Sequence, residues 1–248
     1  MTIFSSEMLM SETKYTLTVV TTPAAATCTL TYDGVAHTAK TATVPKGTVI
    51  SYSINHSTYG TTTGSATMNQ DRTLTCTGTS DTTTTTHNWT RPKLSKNGTM
   101  GGSSCAASCD TVYSSTYAAW EAFDDVTGSA QDGWLSGVAK QQGYLIYYTP
   151  TAIKLTQATA MALGPYGWDT WNIYGSNNNS SFTTLVTSSG TLYRNDQTKT
   201  LTSSKTGTYK YFKFYFERTG TVVGIKNITF KGTYTTSSTT YSWTKTWS

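Results

Sequence analysis

Apolar residues in this chain recur in short alternating runs, and the dominant period is two. Tyr15, Leu17 and Val19 alternate with threonine, the pattern of a strand with one buried face. CTLTYDG follows, with Asp33-Gly34 as a hairpin turn signal. TATVPKGTVISYSI sets Pro45-Lys46-Gly47 between two further strands, and TLTCTGT closes the set. The clearest strand is YKYFKFYFE, in which Phe212, Phe214 and Phe216 face one way and Tyr211, Lys213, Tyr215 and Glu217 the other. WNIYGSNNNSSF ends a strand in a Gly/Ser/Asn turn, and FTTLVTS begins the next. No long stretch carries a 3.6-residue apolar period, so the chain is expected to be all-β.

The runs group into segments. Residues 1–13 form an N-terminal arm, and residues 14–79 hold about six or seven short strands, enough for a small sandwich. Residues 80–104, SDTTTTTHNWTRPKLSKNGTMGGSS, read as a Thr- and Gly-rich linker whose polar composition cannot bury enough surface to pack alone. Trp89 is the exception, a ring able to dock on a neighbouring domain. Residues 105–235 form a second β-domain, and residues 236–248 an extended C-terminal tail.

Composition sharpens this picture. The chain has 248 residues, with 56 Thr and 27 Ser, about a third of the total, and Thr fits a half-exposed pleated surface. With 36% hydrophobic, 12% aromatic and 12% charged residues it is too apolar for disorder. The formal charge of +5 is dispersed: Lys210 and Lys213 sit in a strand, Arg91, Lys93 and Lys96 in the linker. A nucleic-acid partner is therefore not expected, since such binding gathers cations on one face. No run of about 18 apolar residues occurs, so membrane insertion is not expected either. The first residues lack a basic n-region and an apolar core, yet the Thr/Ser/Tyr-rich surface looks extracellular. A virion surface and an extracellular fragment both fit. Cys28 and Cys76 each share a face with a leucine, as a buried disulfide or as two core thiols; Cys105 and Cys109 form a local disulfide or stay unpaired.

Two resemblances follow. TLTVVTTPAAATCTLTYDG, VPKGTVISYSI and DRTLTCTGT resemble PEGA-type and related immunoglobulin-like surface modules, which implies a spacer or display domain. Tyr117-Ala-Ala-Trp120-Glu-Ala-Phe123-Asp124-Asp125, Trp134-Leu-Ser, GYLIYYT, Trp171-Asn-Ile-Tyr-Gly-Ser-Asn-Asn, TYKYFKFYF and VVGIKNITFKG are ordered as in the discoidin, or coagulation factor 5/8 C-terminal type, galactose-binding-like fold. That superfamily includes family-32 carbohydrate-binding modules. The expected architecture is thus an Ig-like β-sandwich followed by a discoidin-type jelly roll. The resemblance also implies a structural calcium at Asp124 and Asp125, but Asn227 stands where the last strand would offer an acid, and calcium seeks six to eight oxygens.

Such jelly rolls bind ligands with the loops at one end. Sugars present CH faces and hydroxyls, so a site needs an exposed aromatic and a few hydrogen-bonding groups. LGPYGWDTW offers Tyr166 and Trp168 for stacking and Asp169 as an acceptor; the alternative for Trp168 is a core position beside Trp171. Arg194 is a donor or a solvated surface residue, and Trp120 borders the ligand or packs in the core. The three histidines lie at positions 37, 56 and 87 without a nucleophile motif, and Asp124 and Asp125 are adjacent and cannot flank a glycosidic bond. No enzyme is expected. The resulting expectation is a non-catalytic adhesin on a bacteriophage virion, with cell-surface glycans, other virion proteins and further copies of this chain as partners. A purely structural decoration protein and a secreted bacterial carbohydrate-binding module are the alternatives.

Overall fold

The computed structural model describes residues 12–129, 131–137 and 141–248, so the expected arm lies almost wholly outside the described residues. The chain divides into one unit of Met1–Thr84 with Ser237–Ser248 and another of Thr85–Thr236. Among the described residues, helix is confined to two 3-10 turns, Ser115–Tyr117 and Ala119–Phe123. None of the helices is long and apolar enough to cross a membrane, which says nothing of a β-barrel.

The first unit contains β1 (Lys14–Thr22), β2 (Thr27–Tyr32), β3 (Val35–Thr38), β4 (Thr41–Pro45), β5 (Val49–His56), β6 (Gly60–Thr67) and most of β7 (Arg72–Thr90). Asp33 and Gly34 take positive φ between β2 and β3, as their hairpin requires. One sheet runs β3-β2-β5-β6; in the other β1 lies between antiparallel β4 and parallel β7. The alternating inward residues Leu17, Val19, Cys28, Leu30, Ile50, Ile54, Leu74 and Cys76 form the core between them. Both cysteines are buried thiols, and Cys105 and Cys109 are also free.

The second unit contains β8 (Ala106–Cys109), β9 (Trp134–Leu135), β10 (Gln142–Ala162), β11 (Thr170–Ser176), β12 (Thr183–Ser188), β13 (Thr198–Thr202), β14 (Tyr209–Glu217) and the first half of β15 (Gly224–Trp247). The front sheet runs β12-β11-β14-β10-β8, and the back sheet β13-β10-β15-β9. β10 serves both: residues 142–148 pair with β14, the register breaks between Tyr148 and Ile153, and residues 154–162 pair with β15. Such a strand, crossing between facing sheets at a bulge, makes a sandwich corner. The inward face of β14 puts Phe212, Phe214 and Phe216 against Trp171 and Phe230, all buried.

Three expectations change. Residues 80–90, read as linker, are the end of β7; threonine is β-branched, and pairing with β15 satisfies the backbone. Residues 236–248, read as a tail, continue β15 to Trp247, with Thr79 opposite Ser242 and Thr82 opposite Thr239 through side-chain oxygens. Arg91, read as a dispersed surface cation, is buried, as is Leu94, so the segment after β7 packs on the second unit.

Candidate functional site

The ends of β10 and β14 and the starts of β13 and β15 meet at one rim of the second unit. Ala162 N donates to Gln197 O (2.9 Å) and Leu163 N to Gly224 O (3.1 Å), and bridges join Gly167 to Val223 and Trp168 to Tyr193. The 163–169 loop is therefore clamped between the 193–197 turn and the start of β15. Gly167 is required at this clamp, since a Cβ there would lie 1.8 Å from Tyr193 O. Asp196 adds a side-chain clamp: its Oδ1 accepts from Gly164 N at 3.3 Å and pairs with Lys226 Nζ at 2.7 Å. The Lys226 hydrogen bond holds the Asp196 carboxyl below the usual carboxylate range. Lys226 itself is buried and reaches Thr127 O.

Trp168 does not face solvent. It is 1% exposed, stacked on Tyr193 at 5.5 Å and edge-on to Trp171 and Phe216. A stacking role for Trp168 is thus corrected: the bridges at Gly167 and Trp168 turn the ring inward, and the core alternative holds. Tyr166 sits above it at 36% exposure, at the end of a turn closed by Tyr166 N to Leu163 O. Trp120 is half-buried against the core, and its backbone N–H donates to Asn97 Oδ1.

Beside the loop lies a polar trough of about 250 Å³, lined by Gln141, Gln142, Asp169, Glu217, Arg218 and Thr219. Asp169 Oδ2 accepts from Thr219 N (3.0 Å) and Thr219 Oγ1 (3.2 Å), which fixes the turn after β14. Arg218 Nη1 donates to Pro165 O at 2.7 Å, so this side chain is held against the same loop as Tyr166. Burial, and after it the nearby Arg194 charge, holds the Arg218 guanidinium below its ordinary value. Tyr215 Oη bonds Glu217 Oε1 at 2.5 Å and lies 3.0 Å from Gln142 Oε1. The structure thus gathers Tyr166, Asp169 and Arg194 at one rim and adds Glu217, Arg218, Thr219 and Gln142, which sequence reasoning missed. Their signal was present: ERTG follows the most regular aromatic strand, where the chain must turn at the sheet edge, and Gly220 takes φ 88° there.

The Asp124 and Asp125 turn is built differently from the expectation. Asp124 Oδ1 caps Val126 N at 2.9 Å. Asp125, at φ 64°, turns Oδ1 to the Arg91 guanidinium and to Asn227 Nδ2. The same guanidinium donates to Phe123 O and Pro92 O, and lies over the Phe123 ring at 5.9 Å. The carboxylate and carbonyl that would face calcium accept from an internal cation instead. With those oxygens engaged by Arg91, the turn does not offer the set of free oxygens that calcium takes. Nearby, burial first, then Asp124 and Asp132, push the Glu121 carboxyl up to about 7, against the opposing hydrogen bond from the Gly133 backbone.

No family model matches the chain, and no curated protein matches it in sequence. Solved structures similar to it include carbohydrate-binding modules, an F5/8 type C domain, a lectin and, over 14% of that chain, a family 89 glycoside hydrolase of Clostridium perfringens. The family 32 carbohydrate-binding module of Clostridium perfringens NanJ, in complex with galactose, is 16% identical, covering 51% of this chain and 93% of that one, with a TM-score of 0.43. The F5/8 type C domain of a Bacteroides fragilis protein is 14% identical over 52% of this chain and 91% of that one, at 0.43. The fucolectin of striped bass (Morone saxatilis) serum is 16% identical over 52% of this chain and 46% of its own, at 0.44.

Proposed function

We propose that this chain is a non-catalytic glycan-binding protein and that the trough beside Tyr166 receives a sugar. One observation carries the reading: the clamped loop that exposes the Tyr166 ring is tied, through Pro165 O and Arg218, to a cleft lined by carboxylate, amide, hydroxyl and guanidinium groups. A sugar needs a face to lie on and a few oriented donors and acceptors, and the rim offers both. Arg218 and Gln142 donate to hydroxyls, Glu217 accepts, and Tyr166 supplies the ring. Asp169 and Arg194, adjacent at the same rim, orient the turn and add positive charge.

The Thr-, Ser- and Tyr-rich, charge-poor composition supports display outside the cell, and we place the protein on a virion surface, as a bacteriophage adhesin. Burial of Trp168 favours a second reading, a decoration protein whose jelly roll only packs and exposes surface. A glycan array probed with the full chain and with Arg218→Ala separates the two. Binding by wild type that falls about tenfold or more in Arg218→Ala, the loss of one charge-assisted hydrogen bond, supports the adhesin. Binding by neither protein supports decoration.

A further inference from the structure

The trough opens onto the outer face of the front sheet, and that face is unusual. Register places Gln142 opposite Glu217, Tyr144 opposite Tyr215, and Ile146 opposite Lys213, with Tyr174 on the other side of Lys213. Gln142 and Glu217 line the trough, so the next row of the lattice begins where the trough ends. In that lattice the Lys213 ammonium stands over three rings, those of Phe182 (4.2 Å), Tyr174 (5.2 Å) and Tyr144 (5.4 Å). Lys213 Nζ has no hydrogen-bond partner among the described residues. The rings are half-buried, lying against their neighbours with one side toward solvent. At the far end Tyr148 pairs with Tyr211 at 4.9 Å, and its hydroxyl donates to Gly102 O of the loop that closes the row. From Glu217 to Tyr211 the face runs about 20 Å at the usual rise per residue of a strand.

We propose that the glycan bound at the trough is an extended chain, and that its following units lie along this tyrosine face over Tyr215, Lys213 and Tyr174. The inference rests on the glycan reading above and names the ligand class: an oligosaccharide or polysaccharide rather than a single terminal sugar. Three features carry it. The face is continuous with the trough through residues common to both. Its rings are held by cross-strand neighbours, so stacking on them costs little side-chain freedom. Gln142, Glu217 and Lys213 interrupt the rings between the trough and Tyr174, which suits a hydroxyl-rich chain and not the dry, charge-depleted centre of a protein interface.

The test uses the full chain and an array of gluco-, galacto-, N-acetylglucosamine and uronic-acid oligosaccharides of one to six units, followed by calorimetry. Affinity is expected to rise about tenfold or more between one and four units. In Tyr174→Ala and Phe182→Ala that ratio should fall toward one, with the melting temperature as a check on folding. In Trp247→Ala, a change in the first unit, the ratio should not move. An affinity independent of length, or a ratio that both variants preserve, overturns the inference and leaves the glycan reading standing. A wild-type chain that binds no sugar of any length removes the glycan reading, and the inference with it. A dimer in sedimentation that dissociates in Tyr174→Ala would show the face covered by a second copy, and also overturns it.

Discussion

Arg91 and Asp125, 34 residues apart, form an ion pair in which the guanidinium side chain is 1% exposed and the carboxylate 45% exposed. The asymmetry has an energetic consequence. Removing the carboxylate strands a buried charge, whereas removing the guanidinium leaves a carboxylate that water can reach. Phe123 O also keeps a second donor, Leu94 N at 2.8 Å.

Asp125→Asn, which tolerates the left-handed backbone there, is therefore expected to cost about 3–5 kcal/mol in denaturant unfolding, and Arg91→Met clearly less. Equal losses would contradict the asymmetry. Because the guanidinium already neutralises this turn, adding calcium or a chelator should not shift the melting temperature of the wild type. A calcium-dependent rise would show that the turn takes a metal after all.

Glu121 gives the fold a pH dependence of known sign. Its folded pKa, about 7, lies above the ordinary carboxylate value. The folded form thus binds the proton more tightly, and this contribution is full below the unfolded value and lost as pH rises through about 7. Stability from this group should increase as pH falls from 8 toward 4.5. Glu121→Gln should raise the melting temperature at pH 8 and flatten the dependence. An unchanged profile in the variant would assign the slope to other groups.

Trp168 and Tyr166 are two residues apart and should behave oppositely. Trp168→Ala removes a buried ring with three aromatic neighbours in reach and is expected to cost about 3–5 kcal/mol. Tyr166→Ala should change stability by about 0.5 kcal/mol or less, as surface substitutions do, while weakening glycan binding. Thermal melts and array signals measured together check both halves.

Much of the second unit was legible from local pattern. The alternation in YKYFKFYFE placed three phenylalanines inward, and the Ser176–Ser181 turn forms through Asn178 as its composition suggests, with Oδ1 accepting from Ser180 N and Ser181 N. The threonine tract before Trp89 was misread because polarity was weighed above β-branching: an exposed strand needs no apolar face when a partner strand satisfies its backbone. Sequence left Trp168 open between stacking and a core position because a loop flanked by Pro165 and Gly167 looks exposed, whereas the clamp at Gly167 turns the next ring inward. Arg91 and Arg218 were missed for a shared reason. Each acts through partners distant in the chain, Asp125 and Pro165, and no local period reports such pairings.

The central claim is that the rim of the second unit is the ligand-binding surface. Chemical-shift mapping of the isotope-labelled full chain, titrated with the tightest-binding sugar of the array, tests it most directly. Shifts centred on the amides of Tyr166, Asp169, Arg218 and Thr219 are predicted. Shifts confined to residues 14–79, or no sugar that binds at all, would contradict it.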